Sequence, residues 1–105
     1  MAAVSQQWVR EQRLAAALWA RRMLNSGFVI LDAETTGLEH DDEFVQIGVL
    51  DHTGEVLVDT LVRPQKQVAP GASAVHRITA SALAESPPFE VVYSALAAAL
   101  TDRLV

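Results

Sequence analysis

One hundred and five residues, half of them hydrophobic and a fifth charged, suffice for one small domain and leave no room for a second. The absence of cysteine excludes disulfide frameworks, thiolate zinc sites and thiol catalysis, and fits a reducing compartment, so the cytoplasm is the expected location. The net charge of −5 is unevenly spread: residues 1–31 carry +3, with Arg10, Arg13, Arg21 and Arg22 against Glu11, and residues 32–105 carry −8, so contact with a phosphate backbone requires the basic N-terminal segment or bound cations.

Between Val4 and Leu24 the apolar residues Val4, Trp8, Ala15, Leu18, Trp19 and Met23 recur every three or four positions, which predicts an amphipathic helix docked on the body. Asn25-Ser26-Gly27 closes it, with Gly27 placed for the left-handed position after a helix end. The apolar run Leu14–Ala20 is shorter than the about 20 residues that span a bilayer and ends at Arg21 and Arg22, so no membrane segment is expected. Phe28-Val29-Ile30-Leu31 is continuously apolar and reads as a central strand buried on both faces.

Glu43–Leu50 and Glu55–Val62 follow as two strands joined by Asp51-His52-Thr53-Gly54, an antiparallel hairpin with His52 as an exposed turn residue. Pro64–Pro70 reads as a loop, Thr79–Leu83 as a short helix capped by Thr79, and Ser86-Pro87-Pro88 opens a last helix with Phe89, Val92, Leu96 and Leu100 on one stripe. A further apolar strand begins at Arg103-Leu104-Val105. Three strands and these helices make an incomplete layer with missing neighbours or cover, from which self-association is expected.

The informative string is Asp32-Ala33-Glu34-Thr35-Thr36-Gly37, directly after the apolar strand. Residues two apart on a strand share a face, so Asp32 and Glu34 project side by side. Two carboxylates so placed either recruit a hard divalent cation or merely solvate a strand end that turns into Gly37. The run Glu39-His40-Asp41-Asp42-Glu43 is dense in oxygen ligands but reads as a solvated loop. No P-loop, dinucleotide fingerprint, Ser-His-Asp order or zinc spacing is present.

The string Val29-Ile30-Leu31-Asp32-Ala33-Glu34-Thr35-Thr36-Gly37-Leu38 resembles the first motif of the DEDD-type 3′-to-5′ exonucleases, the family of proofreading polymerase subunits and RNase T. Glu43–Gly48 is similar to that family's second strand, Leu61–Pro64 to its third, Val75-His76-Arg77-Ile78-Thr79 to its His-Gly-Ile-Thr loop and Phe89–Val92 to the start of the helix that follows. The resemblance implies an α/β, RNase H-like mixed sheet, here incomplete, with residues 28–105 as the N-terminal part of an exonuclease domain and residues 1–27 as an extra amphipathic helix.

It further implies metal-dependent hydrolysis of DNA or RNA at single-stranded 3′ ends with two Mg²⁺ or Mn²⁺ ions, the residue matching Asp32 bridging both and that matching Glu34 holding the ion that activates water. By the same carry-over the backbones of Thr35 and Thr36 and the side chain of Leu38 sit against the terminal nucleotide, Gly37 permits close approach, and His76 lines the pocket. The family's remaining carboxylates and general base fall beyond this point, so half a site is expected and the 105 residues alone are expected to be inactive. A polymerase or the missing C-terminal half is the expected partner; the alternative is a truncated, non-catalytic remnant that binds nucleic acid or protein. Arg77 stands where the family commonly has Gly, which either costs a left-handed backbone conformation or offers a phosphate contact.

Overall fold

Alternating burial along three strands positions everything else in the molecule. The computed structural model describes residues 5–105; Val4, assigned above to the first helix, lies outside them. Val29–Thr35 (β1), Phe44–Asp51 (β2) and Val56–Leu61 (β3) form one antiparallel sheet in the order β1-β2-β3. The β2–β3 turn is the expected hairpin, set by Asp51, whose Oδ1 accepts from the Thr53 and Glu55 amides at 2.8 and 2.9 Å, and by Gly54 at φ 89°.

On one face Val29, Ile47, Val49, Val58 and Val62 pack against Val92, Leu96 and Ala99 of the last helix, α4 (Phe89–Leu100), and this is the core. The helical stripe of α4 thus meets the β-branched positions that strand alternation sends to one side. The other face has no cover among the described residues.

Two expectations are corrected. β1 is an edge strand, not the central one, and Ile30 is 54% exposed, because the strand is covered on one face only. β2 takes the central place. At the edge of β1 the chain's last residues arrive, and the Val29 amide donates to the Leu104 carbonyl at 2.8 Å, but residues 103–105 form no strand, so the apolar strand expected to begin there is not seen.

The first helix, α1 (Gln6–Ser26), forms as expected, with Ser5 Oγ accepting from the Trp8 amide and Gly27 left-handed at φ 71°, but it is not docked. None of its residues is buried, and Trp19 is 62% exposed. Its apolar stripe meets the body only at its last turns, where Trp19 and Met23 line a groove with Ile30 and Leu31, so the rest of the helix extends as an arm and the Cα radius of gyration is 18.9 Å, against about 13 Å for a compact chain of this length. It is also not long and apolar enough to cross a membrane, nor is any other described helix.

Between β3 and α4 lie α2 (Pro70–His76) and α3 (Ala80–Ala84). Thr79 caps α3 as expected, its Oγ1 accepting from the Ala82 amide. α2 was not expected. Its only sequence signal is Pro70 at the first helical position, since it buries no residue and so carries no apolar periodicity.

Candidate functional site

Asp32 and Glu34 alternate onto the uncovered face of the sheet, where they line a shallow depression with Gln46, Gly48 and Asp59. The register explains the grouping: Asp32 stands opposite Gly48 on β2, and Gly48 opposite Asp59 on β3. With no side chain at Gly48 the space between the two aspartates stays open. Asp59 is two strands from Asp32, about 10 Å at the usual interstrand spacing, and among the described residues no three His, Asp or Glu side chains converge as a metal-ligating group. Asp32 and Glu34 are thus a pair of hard oxygen donors without a third.

After Glu34 the pairing with β2 shifts by a residue, and the chain leaves the sheet through Thr35, Thr36 and Gly37. Thr36 is fully buried and saturated. Its amide donates to the Glu43 carbonyl at 2.9 Å, its carbonyl accepts from the Ala69 amide at 2.7 Å, and its hydroxyl donates to Asp42 Oδ1 at 2.5 Å while accepting from the Glu43 amide at 3.0 Å. Thr35 Oγ1 donates to the Gly37 carbonyl at 2.7 Å. The Thr36 backbone therefore has its polar groups engaged within the chain.

The Glu39–Glu43 run is only partly the solvated loop expected. Glu39, His40 and Asp41 are exposed, but the Asp42 side chain is 6% exposed and ties the loop together. Asp42 Oδ2 accepts from the Glu39 amide at 2.8 Å, and Lys66 Nζ lies 3.1 Å from Asp42 and 3.2 Å from Asp41. The Lys66 amide also donates to Glu43 Oε2 at 2.6 Å. The Thr36 hydroxyl, joined by Lys66 and the Glu39 amide, holds the Asp42 carboxyl below the usual carboxylate range, and hydrogen bonds to Asp42 and Asp41 hold the Lys66 ammonium above its own. A Cβ on Gly37 would come within 2.6 Å of Asp42 Oδ2, so this strap already requires glycine there, whatever ligand approaches.

Glu34, Thr35, Gly37 and Leu38 line one side of a depression of about 530 Å³, and Val75 and His76 from the end of α2 line the other. Leu38 is fully exposed at its rim. His76 Nδ1 accepts from the Ile78 amide at 3.0 Å, which leaves the ring proton on Nε2, a buried atom with no partner among the described residues. Five of the seven residues marked in the sequence thus share one depression, Asp32 is next to it across Glu34, and Thr36 lies behind it. Asp59 and Lys66 were not anticipated, and Asp42 only as a member of a solvated run; the strand alternation of Val56–Leu61 carried a signal for Asp59, whereas the Asp42–Lys66 strap closes a loop that no local pattern encodes.

Arg77 caps α2 with φ 58° and ψ 23°. The left-handed conformation foreseen as its cost is present.

Residues 29–105 match the sequence family described as exonuclease, RNase T. The chain is 35% identical over 78 residues to an uncharacterized exonuclease of Escherichia phage 186, covering 74% of this chain and 40% of that one. It is 33% identical over 82 residues to a PolC-type DNA polymerase III of Thermotoga maritima, covering 74% of this chain and 6% of the polymerase. Among solved structures it superposes on exonuclease X in complex with 5′-overhanging duplex DNA, with a TM-score of 0.53, 36% identity, and 64% of this chain and 41% of that one covered. Cell-death related nuclease 4 shares the fold at 19% identity, with a TM-score of 0.57 over 71% of this chain and 30% of that one. These neighbours are RNase H-like, and the present sheet is an open portion of that fold. The chain spans less than half the length of the phage relative.

Proposed function

The chain belongs to the RNase T exonuclease family, and from that membership we propose that it forms the N-terminal part of a metal-dependent 3′-to-5′ exonuclease that hydrolyses phosphodiester bonds of DNA or RNA. The observation that carries the proposal is the placement of Asp32 and Glu34 on an open face at the rim of the depression lined by Thr35, Gly37, Leu38 and His76.

The paired carboxylates suit a hard divalent cation, Mg²⁺ or Mn²⁺, and Asp32 and Glu34 would hold it. Such ions, when bound, supply a polarised phosphoryl oxygen and an activated water. The chain's own residues position the substrate: exposed Leu38 offers an apolar surface for the terminal base, and His76 walls the depression opposite it. Gly37, kept without a side chain by Asp42, leaves the wall between them low. Two side chains supply only part of the about six oxygens that a hard ion takes, so residues 1–105 bind it weakly and do not complete the reaction. The remaining acids come from outside them, from a C-terminal portion or an associated chain. The uncovered face and the free edge of β1 support self-association of the isolated chain, which light scattering against concentration would register. Likeness to a polymerase over the same segment supports a polymerase as the lesser partner proposal, and the cysteine-free composition supports a cytoplasmic setting.

A labelled single-stranded oligonucleotide incubated with Mn²⁺ tests the assignment. The 105-residue chain should leave it intact, whereas a longer chain carrying the further carboxylates should shorten it from the 3′ end, with Asp32→Ala abolishing the shortening. Shortening by the 105-residue chain, abolished by Asp32→Ala, would instead mean that two copies complete a site between them.

A further inference from the structure

We propose, on the nuclease reading above, that α1 is a nucleic-acid-binding arm whose arginines Arg10, Arg13 and Arg21 grip the phosphate backbone of the strand delivered to the Asp32–Glu34 face.

The helix places these three side chains together. At about 100° per residue, offsets of three and eleven positions put Arg13 and Arg21 within a sector of about 80° around Arg10, with Trp8 and Trp19 on the opposite side. Their charge is not neutralised within the helix. The one acid there, Glu11, has Leu14 and Ala15 at the positions where a helical ion pair would form, and it is hydrogen-bonded by Gln7. Among the described residues the salt bridges are those of Lys66, so none involves an α1 arginine. No residue of the helix is buried, and of its residues only Val9 and Met23 are partly covered.

Charge complementarity selects the occupant. Residues 32–105 carry −8, and of their few cations Lys66 is already matched by Asp41 and Asp42. The net charge of this body repels a polyanionic substrate, and the densest run of unmatched positive charge in the sequence is on the arm. The arm also joins the body close to the carboxylates. Only Gly27 and Phe28 separate α1 from β1, and Trp19, Met23 and Leu24 of its last turns line a groove with Ile30 and Leu31, so the helix is anchored just before Asp32 with its arginine face turned outward from that groove. Guanidinium groups contact phosphate oxygens in pairs, a geometry that lysine cannot offer. An anionic lipid surface would satisfy the same arginines, but it offers nothing to the adjoining carboxylate face.

Fluorescence anisotropy of labelled oligothymidylate with the 105-residue chain, in chelator so that no hydrolysis intervenes, tests the arm apart from catalysis. Three phosphate contacts predict a slope of log affinity on log salt of about −2, equivalent to a loss of roughly twentyfold between about 50 and 200 mM salt. The triple variant R10Q/R13Q/R21Q should bind at least about tenfold more weakly at the lower salt, with its slope near zero, while keeping wild-type helicity by circular dichroism. R103Q should bind as the parent does, and R10K/R13K/R21K should retain most of the salt slope. Unchanged affinity and slope in the glutamine variant would overturn the arm, and so would loss of binding to phosphatidylserine vesicles with oligonucleotide binding intact. Failure of the nuclease assay with this salt signature preserved would overturn the catalytic reading and leave the arm standing.

Discussion

The two faces of the three-stranded sheet are drawn from the same strands in alternation, and they have opposite chemistry. Towards α4 the strands present Val29, Val45, Ile47, Val49, Val58 and Val62, all buried. Away from it they present Ile30, Asp32, Glu34, Gln46, Gly48 and Asp59, of which none is buried. A shift of one residue in register would exchange the two sets. The difference teaches that the carboxylates cost the fold little because they were never asked to enter its core. Stability and chemistry are separated by a single residue step.

Substitutions on the two sides should therefore give unlike results, and the largest contrast is Ile47→Ala against Asp32→Ala. Ile47 is fully buried at the centre of the core, and its truncation should cost roughly 2–5 kcal/mol, a large share of the about 5–15 kcal/mol that holds a domain together. Asp32→Ala removes an exposed charge beside Glu34 and should leave urea-induced unfolding unchanged or slightly improved. A comparable loss from Asp32→Ala would break the separation of the two faces.

A smaller but sharper effect is expected at Gly37, on the open side yet packed like a core position. Adding a methyl group 2.6 Å from Asp42 Oδ2 forces the carboxylate off Thr36 or the turn out of place, at a cost of about 1–3 kcal/mol typical of overpacking. The thermal midpoint of Gly37→Ala should fall, and Asp42→Ala placed in the same chain should recover part of the loss beyond additivity. Simple additivity of the two would mean that Gly37 and Asp42 do not meet as described.

Much of this contrast was legible in the residues. Period-two alternation located the strands, Asp51–Gly54 the hairpin, Gly27 the helix end, and the spacing of Asp32 and Glu34 their common face. What escaped depended on tertiary partners. Phe28–Leu31 reads as central because its residues are apolar on both sides, yet the face bearing Ile30 is bare in this chain. α1 reads as docked because its stripe is apolar, but a stripe does not say where its cover lies. α2 buries nothing and has no periodicity to detect, and the Asp42–Lys66 strap joins residues far apart in sequence.

The same strap supplies a pH test. The Asp42 carboxyl is held below its ordinary value by the Thr36 hydroxyl, so the folded state binds its proton less readily than the unfolded chain does. Its stabilising contribution is complete above the unfolded value of about 3.9 and is lost as pH falls through the lower folded value. Asp51, depressed by the Thr53 hydroxyl, has the same sign. Between neutral pH and about pH 3, the difference in stability between the parent and Asp42→Asn should therefore shrink, as read by urea midpoints at each pH.

The smallest effect is expected at Arg77, which with Asp102 is one of two non-glycine residues of left-handed backbone among the described residues. Its φ of 58° is a conformation that costs an ordinary residue about 1 kcal/mol and glycine almost nothing. The amide bond to the Ser73 carbonyl, 2.9 Å, belongs to the backbone and survives any substitution. The side chain is exposed and makes no hydrogen bond or ion pair among the described residues. Arg77→Gly should therefore raise the thermal midpoint by a few degrees, about what 1 kcal/mol produces in a domain of this size. Arg77→Ala, which keeps the left-handed cost and loses only the charge, should leave the midpoint where it is. Comparing the two variants separates backbone from guanidinium. Anisotropy with the same oligonucleotide then decides why arginine stands there: if both variants bind more weakly while only the glycine gains stability, the strain is kept for a phosphate contact beside His76. If neither variant loses affinity, Arg77 is a tolerated departure at the end of α2, and the arginines of α1 carry the binding without it.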